Sequence, residues 1–172
     1  MELWCEDEAR LGLKAVARRV WALTGTRPTS CGRQRFESLY VYGFARPATG
    51  ENLCLFLPKA NAECMGEAVA EFARWADPTG EKTLVLVVDN AGGHTAKKLV
   101  VPANVRLHPR PSCPPEWQPA ERLWPRVREG VANRTFDHLV GRAAKLRRRC
   151  DDLAAHPEIV QGAVGYHWAI DH

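Results

Sequence analysis

Three acidic residues stand where a carboxylate could do chemistry. Asp89 directly follows the apolar run LVLVV, which predicts a buried strand. Ligand and metal sites in open α/β sheets gather outside the carboxyl ends of parallel strands, so Asp89 is well placed for function. Asp7 lies at the end of another short apolar stretch, and Glu121 falls in the first turn of a helix that begins at Pro119. The sequence therefore predicts a carboxylate site.

Two nucleotide-binding classes also place residues at strand ends, and the sequence excludes both. P-loop nucleotide triphosphatases need G-x-x-x-x-G-K-[ST], whereas TGEKT at 79–83 lacks the Gly-Lys pair and precedes a strand. A dinucleotide site needs G-x-G-x-x-G after the first strand, and EDEARLGLK does not supply it. One plain alternative stays open, in which an unrelated α/β protein carries these three acidic residues as ordinary strand-end and helix-start residues.

The elements that must position the carboxylates follow from hydrophobic periodicity. Two β-prone runs within 38–58 flank Pro-Ala-Thr-Gly and predict a hairpin. Apolar residues at helical spacing predict a helix over 62–76 with Asn61 as its N-cap. The run LVLVV is apolar on both faces, which is typical of a strand covered by helices on both sides. The pattern further predicts a short helix at 95–99, a strand at 104–109 and helices in the last third.

Composition limits the class of protein. The chain has 172 residues, 45% of them hydrophobic and 26% charged, which fits one globular domain over residues 1–172. No stretch approaches the roughly 18 apolar residues of a membrane span, and the acidic N-terminus lacks the features of a secretory signal, so we expect a cytoplasmic protein without membrane contact. The six cysteines form no C-x-x-C pair, which argues against a zinc finger or a redox motif.

Basic residues concentrate in the second half of the chain, although the net charge of +4 is mild. Arg142, Lys145 and Arg149 would share one helix face, where they could hold DNA phosphates without reading sequence. A solvated helix face accounts for the same pattern equally well. Trp117, in a proline-rich segment, is expected to be exposed and able to touch DNA.

Three segments resemble the signature segments of a known family. They are EDEARLG, VVDNAGGHTAKKL and SCPPEWQPAERLW, and they resemble those of DDE transposases of the mariner and bacterial insertion-sequence superfamily. By this resemblance Asp7, Asp89 and Glu121 are the catalytic residues, with Asn90 and His94 as accessory positions. The separation of Asp89 and Glu121, in the low thirties of residues, is also typical of that superfamily.

The resemblance implies a ribonuclease-H-like α/β fold, with a mixed central sheet, antiparallel N-terminal strands and helices on both faces. It also implies that the three carboxylates hold Mg²⁺, for which Mn²⁺ can substitute, and that two ions promote phosphodiester transfer. The domain would cut DNA at transposon ends and join the ends to target DNA, associating with the nucleoid when bound. His94 would either orient a phosphate or cap the short helix. Strand alternation sends Glu6 and Glu8 to the face opposite Asp7, where we expect them to be solvated.

The sequence departs from the family pattern at three points. Gln118 replaces the family's Asn, a better N-cap, and Pro125 is expected to kink the helix beside Glu121. Relatives carry helix-turn-helix modules ahead of the first Asp, whereas only six residues precede Asp7 here. We expect DNA recognition to come from a separate or fused N-terminal chain, and a homodimer by resemblance. The alternative is a decayed or repurposed domain that acts as a non-catalytic DNA-binding or protein-interaction module.

Overall fold

The computed structural model describes residues 1–13, 16–26, 38–89, 99–109 and 118–170. Within these ranges the chain forms strands and helices in an α/β order. The strands are β1 (Glu2–Gly12), β2 (Ser38–Ala45), β3 (Asn52–Leu57), β4 (Leu84–Val88) and β5 (Val105–Pro109). The helices are α1 (Ala62–Ala76), α2 (Leu123–Glu129), α3 (Leu139–Ala155), α4 (Pro157–Val164) and α5 (His167–Ile170), with a 3-10 turn at Pro119–Arg122 before α2.

The five strands form one mixed sheet in the order β3-β2-β1-β4-β5. β1 pairs antiparallel with β2, and β2 pairs antiparallel with β3. On its other side β1 pairs parallel with β4, which in turn pairs parallel with β5. The predicted hairpin and the predicted mixed sheet with antiparallel N-terminal strands are thus confirmed.

Helices cover both faces of this sheet. Trp4 of β1 points to the face covered by α1, where it joins a core cluster with Met65 and Phe72. Ala9 and Leu11 of β1 point to the other face and pack in a cluster with residues of α2, α3 and α4. Because successive side chains of a strand alternate, one strand supplies both cores.

Helix α1 begins and ends as the sequence predicts. Asn61 has extended backbone dihedrals, and its side chain accepts a hydrogen bond from the Cys64 backbone N–H at 2.9 Å. The N-cap satisfies one of the donors that a helix start leaves without a partner. Inside the core, Phe72 of α1 stacks on Phe44 of β2 with ring centroids 4.5 Å apart.

The expectation that Glu6 and Glu8 are solvated is wrong. Glu6 has no exposed surface, and Glu8 is only partly exposed. Both residues lie on the face opposite Asp7, as strand alternation requires, but that face carries the α1 core instead of solvent. Strand alternation therefore predicts the correct face for both residues, but it does not reveal that α1 covers this face.

The expected kink beside Glu121 takes a different form. The chain changes from a 3-10 turn to an α-helix at Leu123, so Pro125 falls in the first turn of α2. Backbone N–H groups in a first turn have no partner within the helix, and proline therefore loses no hydrogen bond there. The discontinuity lies at the junction of the two helical segments.

Two further findings concern membrane-spanning helices and cysteines. Within the described residues no helix is long and apolar enough to cross a membrane. Cys5, Cys54, Cys64 and Cys150 are free thiols in the part of the chain that the structure describes.

Candidate active site

Asp7 and Asp89 occupy matching steps on neighbouring parallel strands. β1 and β4 pair in register up to Cys5 opposite Val87, and Asp7 and Asp89 each follow two residues later. Two residues along a strand return a side chain to the same face, so both aspartates lie on the face of Cys5 and Val87. Adjacent strands are about 4.8 Å apart, which makes these two residues neighbours.

The sequence suggested that Asp7 ends its strand, but the structure shows that it does not. β1 continues to Gly12 because β2 pairs with it along its second half, including Asp7 opposite Gly43. β4 stops at Val88, one residue before Asp89. Asp7 therefore lies in the middle of β1, beside the carboxyl end of β4.

The segment that carries Glu121 packs against the same face. Ala120 is fully buried in a small cluster with Cys5 and Val87. Glu121 follows within the 3-10 turn and is partly exposed. The three predicted carboxylates thus gather on one face of the sheet, at the end where β4 stops.

Gln118 ties this turn to β1. Its side chain makes no N-cap bond, and in this respect the sequence analysis was correct. Gln118 is instead 1% exposed, and its Nε2 donates a hydrogen bond to the backbone oxygen of Glu6 at 2.7 Å. The bond joins the residue that starts the Glu121 turn to the residue that precedes Asp7.

Asp7 lies in an acidic and buried environment. Burial raises the pKa of Asp7 to about 7, and the negative charges of Glu121, Glu8 and Asp89 add to the rise. A hydrogen bond from the Trp124 indole acts in the opposite direction on this pKa, because it favours the charged carboxylate. A carboxylate held among like charges in a buried position favours a proton or a cation.

The ligand geometry is open. Among the described residues, no three His, Cys, Asp or Glu side chains converge closely enough to hold a metal ion together. The donor set nevertheless has the right chemistry, since carboxylate oxygens are the ligands that Mg²⁺ prefers. Asp7, Asp89 and Glu121 are therefore neighbouring acidic groups whose side chains do not form a closed ligand cage.

The comparison with protein families identifies the family of the chain. A model of the family described as DDE superfamily endonuclease matches residues 2–140, most of the chain. The chain belongs to this family. The matched region contains β1, β4 and the Glu121 turn, which are the three elements of the carboxylate site.

Relatives of the DDE chain include one curated protein and several solved structures. This chain is 37% identical over 98 residues to the uncharacterized protein y4pE/y4sA of Sinorhizobium fredii (strain NBRC 101917 / NGR234). The match covers 56% of this chain and 71% of that protein. A pre-cleavage Mos1 transpososome superposes with a TM-score of 0.63 at 15% identity, over 96% of this chain and 56% of that one. A Mos1 transposase paired-end complex with the left transposon end gives a TM-score of 0.60 at 16% identity, over 95% of this chain and 55% of that one.

These similarities establish the fold. The DDE chain has the ribonuclease-H-like α/β fold of Mos1 transposase, and the expected resemblance to DDE transposases is confirmed. The chain spans a little over half the length of the Mos1 chains that it matches. At this level of identity the structural match concerns the fold and not the activity.

Arg142, Lys145 and Arg149 of α3 do not form one exposed face. Arg142 is 2% exposed, and its guanidinium lies 5.8 Å from the centroid of the Phe136 ring. Arg149 is half-buried and forms ion pairs with Asp152 at 2.6 Å and Glu129 at 3.4 Å. Of the three, only Lys145 is exposed. The expected phosphate contact is wrong for Arg142, because a buried guanidinium cannot reach DNA.

Three other expected site residues lie outside the described residues. They are Asn90, His94 and Trp117. Residues 95–98 of the short helix expected at 95–99 and most of the proline-rich segment also fall outside the described part.

Sequence reasoning missed three residues that shape the site. Trp124 is buried, and its indole Nε1 donates to Asp7 Oδ2 at 2.6 Å. Gln118 was considered only as a cap. Gly43, in the middle of the strand pattern YVYGFA, was not considered, although a glycine inside a strand often marks a close approach by another group.

Proposed function

We propose that this DDE chain is the catalytic domain of a transposase, which cleaves DNA at transposon ends and joins the ends to target DNA. The observation that carries the proposal is the matching position of Asp7 and Asp89 on adjacent strands, with the Glu121 turn packed on the same face. Family membership and the Mos1-like fold support it. DNA is accordingly the proposed partner, and a paired assembly of two copies is proposed by analogy with the Mos1 paired-end complex.

The proposed cofactor is a pair of divalent cations, Mg²⁺ or Mn²⁺, held by Asp7, Asp89 and Glu121. When bound, such ions stabilise the charge on the attacking and leaving oxygens of a phosphodiester and lower the pKa of the attacking hydroxyl or water. One of the Mos1 neighbours is a paired-end complex with Mn, which supports this assignment. The elevated pKa of Asp7, about 7, also supports the proposed cations, because a neighbouring cation would relieve the repulsion among these carboxylates.

The chain's own residues supply rigidity and position. Pairing of β1 with β2 fixes the backbone of Asp7, and β4 ends one residue before Asp89. Gln118 and Ala120 fix the turn that brings Glu121 to them. Ligands on regular elements hold their geometry more accurately than ligands on loops.

A crystal soak in Mn²⁺ with anomalous scattering tests metal binding without a known DNA substrate. We expect a peak between Asp7 and Asp89 with Glu121 within reach. Nicking of supercoiled plasmid in Mn²⁺ then tests the chemistry, and we expect Asp89→Asn and Glu121→Gln to reduce nicking at least about 100-fold. Glu67→Gln, on the exposed side of α1, is the matched control and should nick normally.

A second candidate is a repurposed domain that binds DNA or a protein without catalysis. The open ligand geometry of the described residues favours it, since no three metal-ligating side chains converge there. Under this alternative the soak gives no peak and the purified chain does not nick plasmid. Nicking that survives unchanged in Asp89→Asn would argue against both candidates.

A further inference from the structure

Trp124 donates a hydrogen bond to Asp7, the candidate catalytic aspartate. Its ring is 5% exposed, and the indole Nε1 donates to Asp7 Oδ2 at 2.6 Å. An indole nitrogen can only donate, and hydrogen bonds to a carboxylate are stronger than those between neutral groups. One of the two oxygens of Asp7 is thereby held in a fixed direction.

The sheet is built to admit this ring. Gly43 is the residue opposite Asp7 on β2. A Cβ at Gly43 would lie 2.8 Å from Cη2 of Trp124 and 3.0 Å from Cδ2 of Leu123. The positive-φ glycines described are Gly25, Gly50 and Gly80, so backbone conformation does not explain a glycine at 43. The missing side chain leaves the space that the indole fills.

We propose that Trp124 is a positioning residue for Asp7: by holding Oδ2, it leaves Oδ1 available to a cation that Asp89 and Glu121 would also hold. This inference rests on the proposed function. Trp124 and Glu121 stand three residues apart, on the 3-10 turn and the start of α2. Insertion of the ring over Gly43 therefore places the Glu121 turn and orients Asp7 in one packing event.

The competing interpretation makes Trp124 a core aromatic whose N–H is merely satisfied. Buried tryptophans usually find an acceptor, so the bond alone does not separate the two roles. Metal affinity separates the two roles. Removing a group that orients a metal ligand typically weakens metal binding 10-fold to 100-fold, whereas a purely structural role changes only stability.

The test compares Mn²⁺ binding by the full chain and its Trp124→Phe variant, using the electron paramagnetic resonance signal of free Mn²⁺. Phenylalanine keeps an aromatic ring and removes the N–H. We expect the dissociation constant for Mn²⁺ to rise at least about 10-fold. Trp75→Phe is the matched control, because Trp75 lies on α1, packs edge-on against Trp4 and should leave affinity unchanged.

A second measurement, the nuclear magnetic resonance signal of the Trp124 indole N–H, is made without metal. The indole N–H resonance of Trp124, identified as the one missing from Trp124→Phe, should exchange slowly with solvent and move upfield in Asp7→Asn. Trp21, whose side chain is fully exposed, provides the fast-exchanging reference.

The outcomes separate the two proposals. Mn²⁺ binding that is equally tight in Trp124→Phe and in the unmutated chain overturns the positioning role and leaves the proposed function standing. An indole N–H that exchanges as fast as that of Trp21 also overturns the positioning role. Absence of Mn²⁺ binding in the unmutated chain overturns the proposed function itself, and the positioning role with it.

Discussion

At the scale of single residues, Asp7 combines burial with three acidic neighbours, and its pKa rises to about 7. An aspartate in an unfolded chain ionises near pH 4. The folded chain therefore binds the proton more tightly, so this contribution to stability is complete below about pH 4 and is lost as the pH rises to about 7. Above that pH an ionised Asp7 opposes folding.

We expect Asp7→Asn to stabilise the metal-free chain at alkaline pH while abolishing nicking. Asparagine removes the charge and keeps an oxygen that can accept from Trp124. The free energy of unfolding should increase by about 2–4 kcal/mol at pH 8 and by less than half of that at pH 5. Urea denaturation at both pH values measures the effect, with Glu67→Gln as the control. A gain that is equal at both pH values would show that Asp7 is not a buried titrating group.

The residues that the sequence revealed are those with local signals. Asp89 follows an apolar strand and Glu121 follows a helix-starting proline, so both could be identified from their immediate neighbours. The bond between Trp124 and Asp7 joins residues 117 positions apart, and no local pattern encodes it. Glu6 shows the other limit: alternation assigned its face correctly, but the sequence did not reveal that α1 covers that face.

At the scale of elements, the 3-10 turn that carries Glu121 is held by a buried side chain and not by a cap. Gln118 spans from the start of this turn to the backbone oxygen of Glu6. An asparagine, the family's residue at this position, is one methylene shorter. The longer side chain at 118 therefore exchanges a capping role for a direct link to β1.

Gln118→Ala should lower the free energy of unfolding by about 1–3 kcal/mol, since it leaves the buried Glu6 carbonyl oxygen without this donor. Plasmid nicking should fall as well, because the turn would hold Glu121 less firmly. Gln161→Ala is a close control: Gln161 also donates to a backbone oxygen, that of Ala48 at 2.6 Å, but in an exposed position. Chemical denaturation compares the two variants. An equal loss from both would mean that Gln118 contributes no buried anchor.

Elements with a strong periodic pattern were predictable, and their boundaries depended on their neighbours. Helix α1 and its Asn61 cap follow the pattern over 62–76 residue for residue. β1 extends to Gly12, well beyond the apolar stretch near its start, because pairing with β2 prolongs it. The 3-10 turn before α2 was not predictable, since propensity does not distinguish one helical type from the other over four residues.

At the scale of the whole molecule, the β2–β3 hairpin packs against the C-terminal helices. Asn52 Nδ2 donates to the backbone oxygen of Leu153 at the end of α3, at 3.1 Å. Gly50, at the hairpin turn, lies directly against the backbone of Pro157 at the start of α4. The family match ends at residue 140, so these contacts join the matched region to helices that lie largely beyond it.

Sequence patterns do not predict which distant segments of the chain come together. They indicated helices on both faces, and the structure confirms this, but they did not specify the strand order β3-β2-β1-β4-β5. The strand order is decisive for the site, because only the adjacency of β1 and β4 brings Asp7 beside Asp89. Only the family resemblance, by which these carboxylates hold the same metal ions, implied that Asp7 and Asp89 lie close together.

A pair of glycine variants measures how much the hairpin contact contributes to the fold. Gly50 and Gly80 have similar positive φ values, 78° and 73°, so alanine strains the backbone at either position by about 1 kcal/mol. A Cβ at Gly80 meets nothing within 4 Å, whereas a Cβ at Gly50 collides with the Pro157 backbone and has 2.7 Å to the Gln161 nitrogen. Backbone atoms of a helix cannot move aside as a flexible side chain can.

We therefore expect Gly80→Ala to lower the free energy of unfolding by about 1 kcal/mol and Gly50→Ala by about 3 kcal/mol or more. Urea denaturation of both variants gives the difference, in which the shared backbone strain cancels. That difference reports the contact between the hairpin turn and α4 alone. Equal losses would show that α4 does not rest on the hairpin, and the helices beyond residue 140 would then be docked independently of it.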